Sequence, residues 1–199
     1  MSTRNRRRGK PGSRKEKKSL LLVLQGTVTE KEYFQRLRKL YRLPGVQILT
    51  EPHSPDRIVQ KSKNHFTQGS GAPYDFVFFV VDVDDSSNVQ FQRGFKQARE
   101  LSTKTTTCNF VVSNECFEVW LLAHYEDIRN KKLSRATLSQ KLKQHKAIDT
   151  KSGKHLSDSF PIEMHTDATN NVKKISFDSL GTSTGTAIPS LVDLLLNLK

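Results

Sequence analysis

Three acidic residues follow an apolar run near the middle of this sequence. Residues 76–81 are all apolar, and Asp82, Asp84 and Asp85 come directly after them. Carboxylates crowded at the end of a buried strand repel one another and resist desolvation, so their usual partner is a hard divalent cation such as Mg²⁺. The segment therefore predicts a metal site at a strand end, and a solvated acidic loop is its structural alternative.

A second group of polar residues follows the first predicted strand. Residues 19–25 form an apolar run that ends at Gln25, and Glu30 lies in the first turn of the helix predicted next. The carboxyl ends of parallel strands share one edge of a sheet, so we expect Gln25 and Glu30 to lie near Asp82 and Asp84. Glu30, Asp82 and Asp84 would then bind Mg²⁺ or Mn²⁺, with water and substrate phosphate completing the coordination.

Two further polar residues follow the fourth predicted strand. Asn114 stands just beyond that strand, and Glu118 lies in the apolar helix predicted to begin at Cys116. Both side chains would project into the same crevice and join the catalytic group. Their structural alternatives are an Asn cap and a glutamate on the exposed side of the helix.

Strands and helices are predicted to alternate from residue 19 to residue 124. Apolar runs predict the strands, and apolar residues at helical spacing predict the helices. The form of Thr27 to Glu30 predicts a capping box, which is also the structural alternative for Glu30. The pattern predicts an α/β fold with a mainly parallel sheet flanked by helices. The predicted strands are 19–25, 46–50, 74–85 and 108–112, and the helices are 29–41, 54–64, 88–102 and one from 116.

The remainder of the chain loses strand character. Helices are predicted over 134–145 and 163–175, a polar loop over 150–159, and a final apolar helix that packs on the sheet. We therefore expect three parts, a basic arm over 1–18, an α/β core over 19–125 and a helical C-terminal appendage over 126–199.

The chain is strongly basic, with a formal net charge of +13. Residues 1–18 hold nine Lys or Arg and one Glu, a composition that favours salt-dependent binding of DNA or RNA phosphates. The alternative is a solubilising tail. The residues expected to bind nucleic acid are Arg4, Arg6, Arg7, Arg8, Lys10, Arg14, Lys15, Lys17 and Lys18.

Other classes of protein are disfavoured by the composition. No apolar run approaches the roughly 20 residues that span a bilayer, so no membrane association and a cytoplasmic location are expected. Cys108 and Cys116 lack a metal-ligand spacing and are expected to be free thiols.

Three blocks of the sequence resemble the RloB family. They are Gln25-Gly26 with Thr29-Glu30, Asp82-Val83-Asp84-Asp85, and Ser113-Asn114-Glu115-Cys116-Phe117-Glu118-Val119-Trp120. That family is similar to Toprim-type proteins, in which a Glu after the first strand and an Asp-x-Asp after the third bind magnesium for cleavage or transfer of phosphodiesters. The resemblance implies a Toprim-like nuclease of a phage-defence system that works with an ABC-type ATPase. The chain has no Gly-x-x-x-x-Gly-Lys-Ser/Thr motif, so ATP hydrolysis would belong to the partner.

The chain departs from the family pattern at two positions. Gln25 stands where the family usually has Glu, and Glu115 stands where Pro is usual. A glutamine can bind a cation or orient water, but it cannot act as a general acid or base. The alternative to a nuclease is therefore a catalytically impaired Toprim-like subunit that binds nucleic acid or serves as a scaffold. A third, a small-molecule phosphotransferase, leaves the basic arm without a role.

Overall fold

A computed structural model of the chain describes residues 18–67, 74–83, 86–149 and 153–198. They form a five-stranded sheet of order β2-β1-β3-β4-β5, in which only the pairing of β4 with β5 is antiparallel. The predicted α/β fold with a mainly parallel sheet is thereby confirmed. The strands are β1 (Leu20–Leu24), β2 (Val46–Thr50), β3 (Phe76–Asp82), β4 (Thr107–Asn114) and β5 (Gly185–Thr186). The helices are α1 (Thr29–Tyr41), α2 (Pro55–Ser62), α3 (Asn64–Thr67), α4 (Asn88–Leu101), α5 (Glu118–Ala123), α6 (Arg135–Gln144), α7 (His165–Asn171) and α8 (Ile188–Asn197), with a 3-10 turn at Ile162–Met164.

Strand β1 is buried on both faces of the sheet, which explains its uninterrupted apolar sequence. Leu20, Leu22 and Leu24 belong to one hydrophobic cluster, while Leu21 and Val23 belong to the other. The alternation of side chains along a strand divides the apolar run between the two layers. The sheet therefore has a packed core on each side.

The two faces of the sheet are covered by different helices. Helices α1, α5, α6, α7 and α8 contribute to the first cluster, and α2 and α4 contribute to the second. The first cluster includes Leu138 from α6, Leu191 from α8 and Phe160, which lies between helices. Residues beyond 126 therefore pack into the same core as the sheet. This shared core fixes the C-terminal helices relative to the carboxyl ends of the strands.

The winding direction of the sheet changes between β1 and β3. From β1 the chain crosses to β2 on one side, and it then returns past β1 to β3 and β4 on the other. Helix α1 follows β1 on one face of the sheet and α4 follows β3 on the other, so a crevice opens at the carboxyl ends of these strands. Gln25 directly follows β1 and Asp82 is the last residue of β3, which brings them both to this crevice.

Three local expectations are corrected. The predicted capping box at Thr27 does not form, because Val28 is the N-cap residue of α1 and no side chain caps that helix end. The helix predicted over 54–64 ends at Ser62 and is followed by the separate α3. The helix predicted over 163–175 ends at Asn171, since Lys174 instead forms a β-bridge with Thr186.

Strand β5 is absent from the sequence prediction. Its two residues give no alternation to detect, and they pair with Ser113 and Asn114 at the end of β4. Within the described ranges, none of the helices has the length and apolar character needed to cross a membrane.

Candidate active site

A cleft of about 320 Å³ opens at the carboxyl ends of β1 and β3. It brings together four residues that the sequence nominates from separate segments, namely Gln25, Glu30, Asp82 and Glu118. The remaining lining residues are Gly26, Thr27, Val28, Thr29, Pro52, Arg135 and Lys154.

Gln25 holds three chain segments together at the base of this cleft. Its side-chain Oε1 accepts a hydrogen bond from the backbone N–H of Asp82 at 3.0 Å, and its Nε2 donates to the carbonyl of His53 at 3.2 Å. Its backbone N–H donates to the carbonyl of Val80 at 3.0 Å. The amide thus uses both its acceptor and its donor, a pairing that a carboxylate cannot reproduce.

Glu30 lies in the first turn of α1, where the positive end of the helix dipole favours a carboxylate. Its carboxylate packs directly against Gly26, and a Cβ atom at position 26 would overlap the carboxylate carbon and both oxygens. Gly26 therefore leaves the space that the Glu30 carboxylate occupies beside the end of β1.

Asp82 is half-buried at the end of β3, and its backbone pairs in register with Ser113 of β4. The strand ends at this residue. Asp84 and Asp85 lie outside the described residues, and the placement of Asp84 as a metal ligand stays a sequence prediction.

Asn114 and Glu118 have different positions at the end of β4. Glu118 lines the cleft from the first turn of α5. Asn114 is buried and does not line the cleft, because its amide donates to the carbonyls of Gly181 and Ser183 and accepts from the Gly181 N–H. These hydrogen bonds hold residues 181–183 against the end of β4.

Glu115 separates β4 from α5 in a left-handed backbone conformation, with φ of 72°. A proline ring restricts φ to about −65°, so the backbone that carries Glu118 takes a path here that proline cannot follow. Glu115 therefore replaces the family's usual proline at a position whose backbone conformation a proline could not adopt.

Cys108, Cys116 and His124 are buried residues. Burial, the neighbouring Glu118 carboxylate and, more weakly, Asp82 raise the pKa of the Cys116 thiol far above its usual range. Burial also raises the pKa of Cys108 to about 11 and lowers that of His124 to about 4. The two thiols are therefore protonated and His124 is neutral at physiological pH, so none resembles an activated nucleophile or a charged base.

Arg135 and Lys154 are cleft residues that the sequence analysis did not single out. Arg135 is the first residue of α6, and Lys154 belongs to the segment 153–158. The sequence indicated a basic helix over 134–145 and a polar loop over 150–159, but only tertiary packing brings one cation from each to the carboxylates. No local pattern could have identified them.

The segment 153–158 is tied to α1 by a series of hydrogen bonds. Thr29 Oγ1 donates to the carbonyl of Lys154 at 2.6 Å, and the Glu32 carboxylate accepts from the Leu156 N–H at 2.9 Å. Arg36 donates to the carbonyls of Leu156 and Ser157 at 2.9 and 2.6 Å. These bonds hold one side of the cleft against the helix that carries Glu30.

The nominated nucleic-acid-binding arm falls almost entirely outside the described residues. Arg4, Arg6, Arg7, Arg8, Lys10, Arg14, Lys15 and Lys17 are not described. Lys18 is exposed before β1, with its Nζ 5.3 Å from the centre of the Phe76 ring. It therefore lies at the amino ends of the strands, at the opposite end of the sheet from the cleft.

The carboxylates of the cleft match the ligand preference of Mg²⁺ and Mn²⁺ for hard oxygen atoms. Within the described residues, no group of three or more His, Cys, Asp or Glu side chains is arranged to hold a metal ion. Magnesium commonly binds through one or two carboxylates and retains water or substrate phosphate as its other ligands. Glu30 and Asp82 fit that kind of site.

A family model described as RloB-like protein matches residues 20–195 of this chain. The match spans all five strands and confirms the family that the sequence motifs indicated. Neither the curated proteins nor the solved structures provide a match.

We predict that the attachment of the segment 153–158 weakens as pH rises. His155 Nδ1 lies 2.5 Å from Glu32 Oε1, and this hydrogen bond raises the His155 pKa. A raised folded-state pKa gives stability that is present below the usual value of about 6.5 and is lost as pH rises through the folded value. An NMR titration should give a His155 pKa above about 6.5 in the wild type and closer to it in Glu32→Gln.

The matched control is Glu100→Gln, which changes an exposed carboxylate on α4. It should leave the His155 titration unchanged. Protection of the Leu156 amide against hydrogen exchange, corrected for the intrinsic pH dependence of exchange, should fall in the wild type as pH rises through the His155 pKa. An identical His155 pKa in wild type and Glu32→Gln would contradict this coupling.

Proposed function

This chain belongs to the RloB-like family, and we propose that it is a nuclease-like effector that hydrolyses phosphodiesters of DNA or RNA with Mg²⁺ or Mn²⁺. The supporting observation is that Glu30, Asp82 and Glu118, which come from three separate elements, line one cleft at the switch point of a parallel sheet. Ligand sites of open α/β sheets occur at this position.

The carboxylates have distinct roles in this proposal. Glu30 and Asp82 hold the cation, and Asp84 is the third ligand that the sequence predicts. The bound cation would supply Lewis-acid activation of water and would neutralise charge on the leaving oxygen. Glu118 is the remaining carboxylate of the cleft, and it accepts the proton of the attacking water.

The proposal extends to the setting in which the chain acts. Membership of the RloB family supports a role in phage defence beside an ABC-type ATPase, in the cytoplasm. Because the chain has no Walker-type phosphate-binding motif, the partner would bind and hydrolyse ATP and regulate the cleavage. The basic arm over 1–18 would hold nucleic acid by sequence-independent contacts.

The alternative is a subunit that binds nucleic acid or scaffolds a complex without cutting. The observation that favours it is the use of the Gln25 amide in two hydrogen bonds with backbone groups. A residue so engaged supports the architecture of the cleft and has no proton to exchange. Binding without cleavage in either metal would favour this alternative.

We predict that the full-length chain cleaves labelled DNA or RNA in Mg²⁺ or Mn²⁺ and that Asp82→Asn lowers the rate at least about 100-fold. Loss of groups that merely support metal ligands already costs roughly 10- to 100-fold, and loss of a ligand should cost no less. Single-turnover cleavage of end-labelled oligonucleotides measures the effect. The control Asp193→Asn makes the same chemical change at an exposed position on α8 and should cleave like the wild type.

Cleavage that persists in Asp82→Asn at the wild-type rate would contradict the assignment of Asp82. Cleavage that is absent from the wild type in both metals, with nucleic-acid binding intact, would instead support the binding subunit.

We predict that Gln25→Glu raises metal-dependent cleavage while it destabilises the fold. A carboxylate can still accept the Asp82 N–H, but it leaves the carbonyl of His53 without its donor, at a cost of roughly 1–3 kcal/mol. Single-turnover rates and urea unfolding report the two effects separately. Gln140→Glu adds the same charge at an exposed position on α6 and should change neither.

An unchanged cleavage rate in Gln25→Glu, together with loss of cleavage in Glu30→Ala, would mean that position 25 is not the missing acid. The Gln25 amide would then serve only to hold the strand ends together.

A further inference from the structure

Two cations share the cleft with its carboxylates. Arg135 and Lys154 are both lining residues, together with Glu30, Asp82 and Glu118. A guanidinium binds two phosphate oxygens at once, and an ammonium group acts as a compact point charge. The mixture of carboxylates and cations in one cleft suits a ligand that carries negative charge and also meets a bound metal ion.

The position of Arg135 is fixed by the packing of α6. Ser134 caps this helix by accepting a hydrogen bond from the Thr137 N–H at 3.3 Å, and Leu138 and Leu142 are fully buried beneath it. Arg135 therefore stands at a well-anchored helix start, where the helix dipole adds positive potential. The side chain itself belongs to an exposed residue, so it is accessible to a ligand in the cleft.

The position of Lys154 is fixed by α1. Its backbone carbonyl accepts the Thr29 hydroxyl at 2.6 Å, which places Lys154 next to the helical turn that carries Glu30. The exposed Lys154 and the exposed Arg135 thus reach the same cleft from two separate anchored segments.

The described lining residues of the cleft include no aromatic side chain. Recognition of a base relies largely on stacking against aromatic rings, whereas recognition of the strand backbone relies on cations. A mononucleotide site would also be expected to offer apolar surface to the base. These lining residues favour a ligand whose phosphates are read without its bases.

We infer that Arg135 and Lys154 bind backbone phosphates of a nucleic-acid strand, independently of base sequence, and bring a phosphodiester to Glu30 and Asp82. The inference rests on the proposed function, because it assigns the substrate contacts of the same cleft. It adds a second basic element to the arm, at the other end of the sheet from Lys18.

The test is the salt dependence of binding by the full-length chain. Fluorescence anisotropy with labelled single-stranded DNA and RNA of several sequences, in EDTA, excludes cleavage. For each of Arg135→Gln and Lys154→Gln, the slope of log affinity against log salt should fall by about one. The loss of affinity should be equal for all sequences. Arg135→Lys keeps the charge and should retain the slope.

The control is Lys96→Gln, which removes an exposed cation on α4 that does not line the cleft. The basic arm is present in every variant, so its contribution cancels in the comparison. Slopes for Arg135→Gln and Lys154→Gln equal to that of Lys96→Gln would overturn the inference, as would a wild type that binds no strand. Displacement of the labelled strand by micromolar mononucleotide would also overturn it.

The binding assay tests the phosphate contacts, and the cleavage assay tests hydrolysis, so either proposal can fail without the other. If Arg135→Gln and Lys154→Gln reduce the slope in a protein that cuts no substrate, the phosphate contacts are supported and hydrolysis is rejected. If the two variants leave the slope unchanged in a protein whose cleavage requires Asp82, hydrolysis is supported and Arg135 and Lys154 are rejected as the phosphate contacts.

Discussion

The bridging amide of Gln25 is the interaction on which the rest of the cleft depends. It joins the end of β1 to the Asp82 N–H of β3 and to the His53 carbonyl after β2. These bonds hold three loops in fixed relation at the point where the sheet changes its winding direction. Since α1 follows Gln25 within a few residues, the same bonds also determine where Glu30 lies relative to Asp82. The residue that stands in place of the family's usual Glu therefore supports the structure of the cleft.

Much of this arrangement follows from the sequence, because its causes are local. The apolar runs predicted β1 to β4, and the rule that parallel strands share their carboxyl ends brought Gln25, Glu30 and Asp82 together. The sequence did not reveal β5, whose two residues are defined only by pairing with the end of β4. It also missed Arg135 and Lys154, since their approach to the carboxylates depends on α6 and on hydrogen bonds between α1 and the segment 153–158.

The charges of the cleft contrast with those of the whole chain. The protein carries a net charge of +13, yet Glu30, Asp82 and Glu118 concentrate negative charge at one place. Carboxylates alone would repel a phosphodiester. Arg135 and Lys154 would offset part of that repulsion in the metal-free protein, and a bound cation would offset more of it. The net positive charge of the chain would attract the proposed nucleic-acid ligand toward this cleft. Lys18, the described end of the arm, lies at the opposite end of the sheet from the cleft, so a polymer is the kind of ligand that can contact both.

Titration of the full-length chain with Mn²⁺, followed by electron paramagnetic resonance of the free ion, tests the central claim most directly. If Glu30 and Asp82 form a cation site, the wild type binds Mn²⁺ saturably and Asp82→Ala abolishes that binding. Gly26→Ala, whose new Cβ would displace the Glu30 carboxylate, should weaken the binding in the wild-type background and have no further effect in Glu30→Ala. Equal Mn²⁺ binding by the wild type and Asp82→Ala would contradict the account.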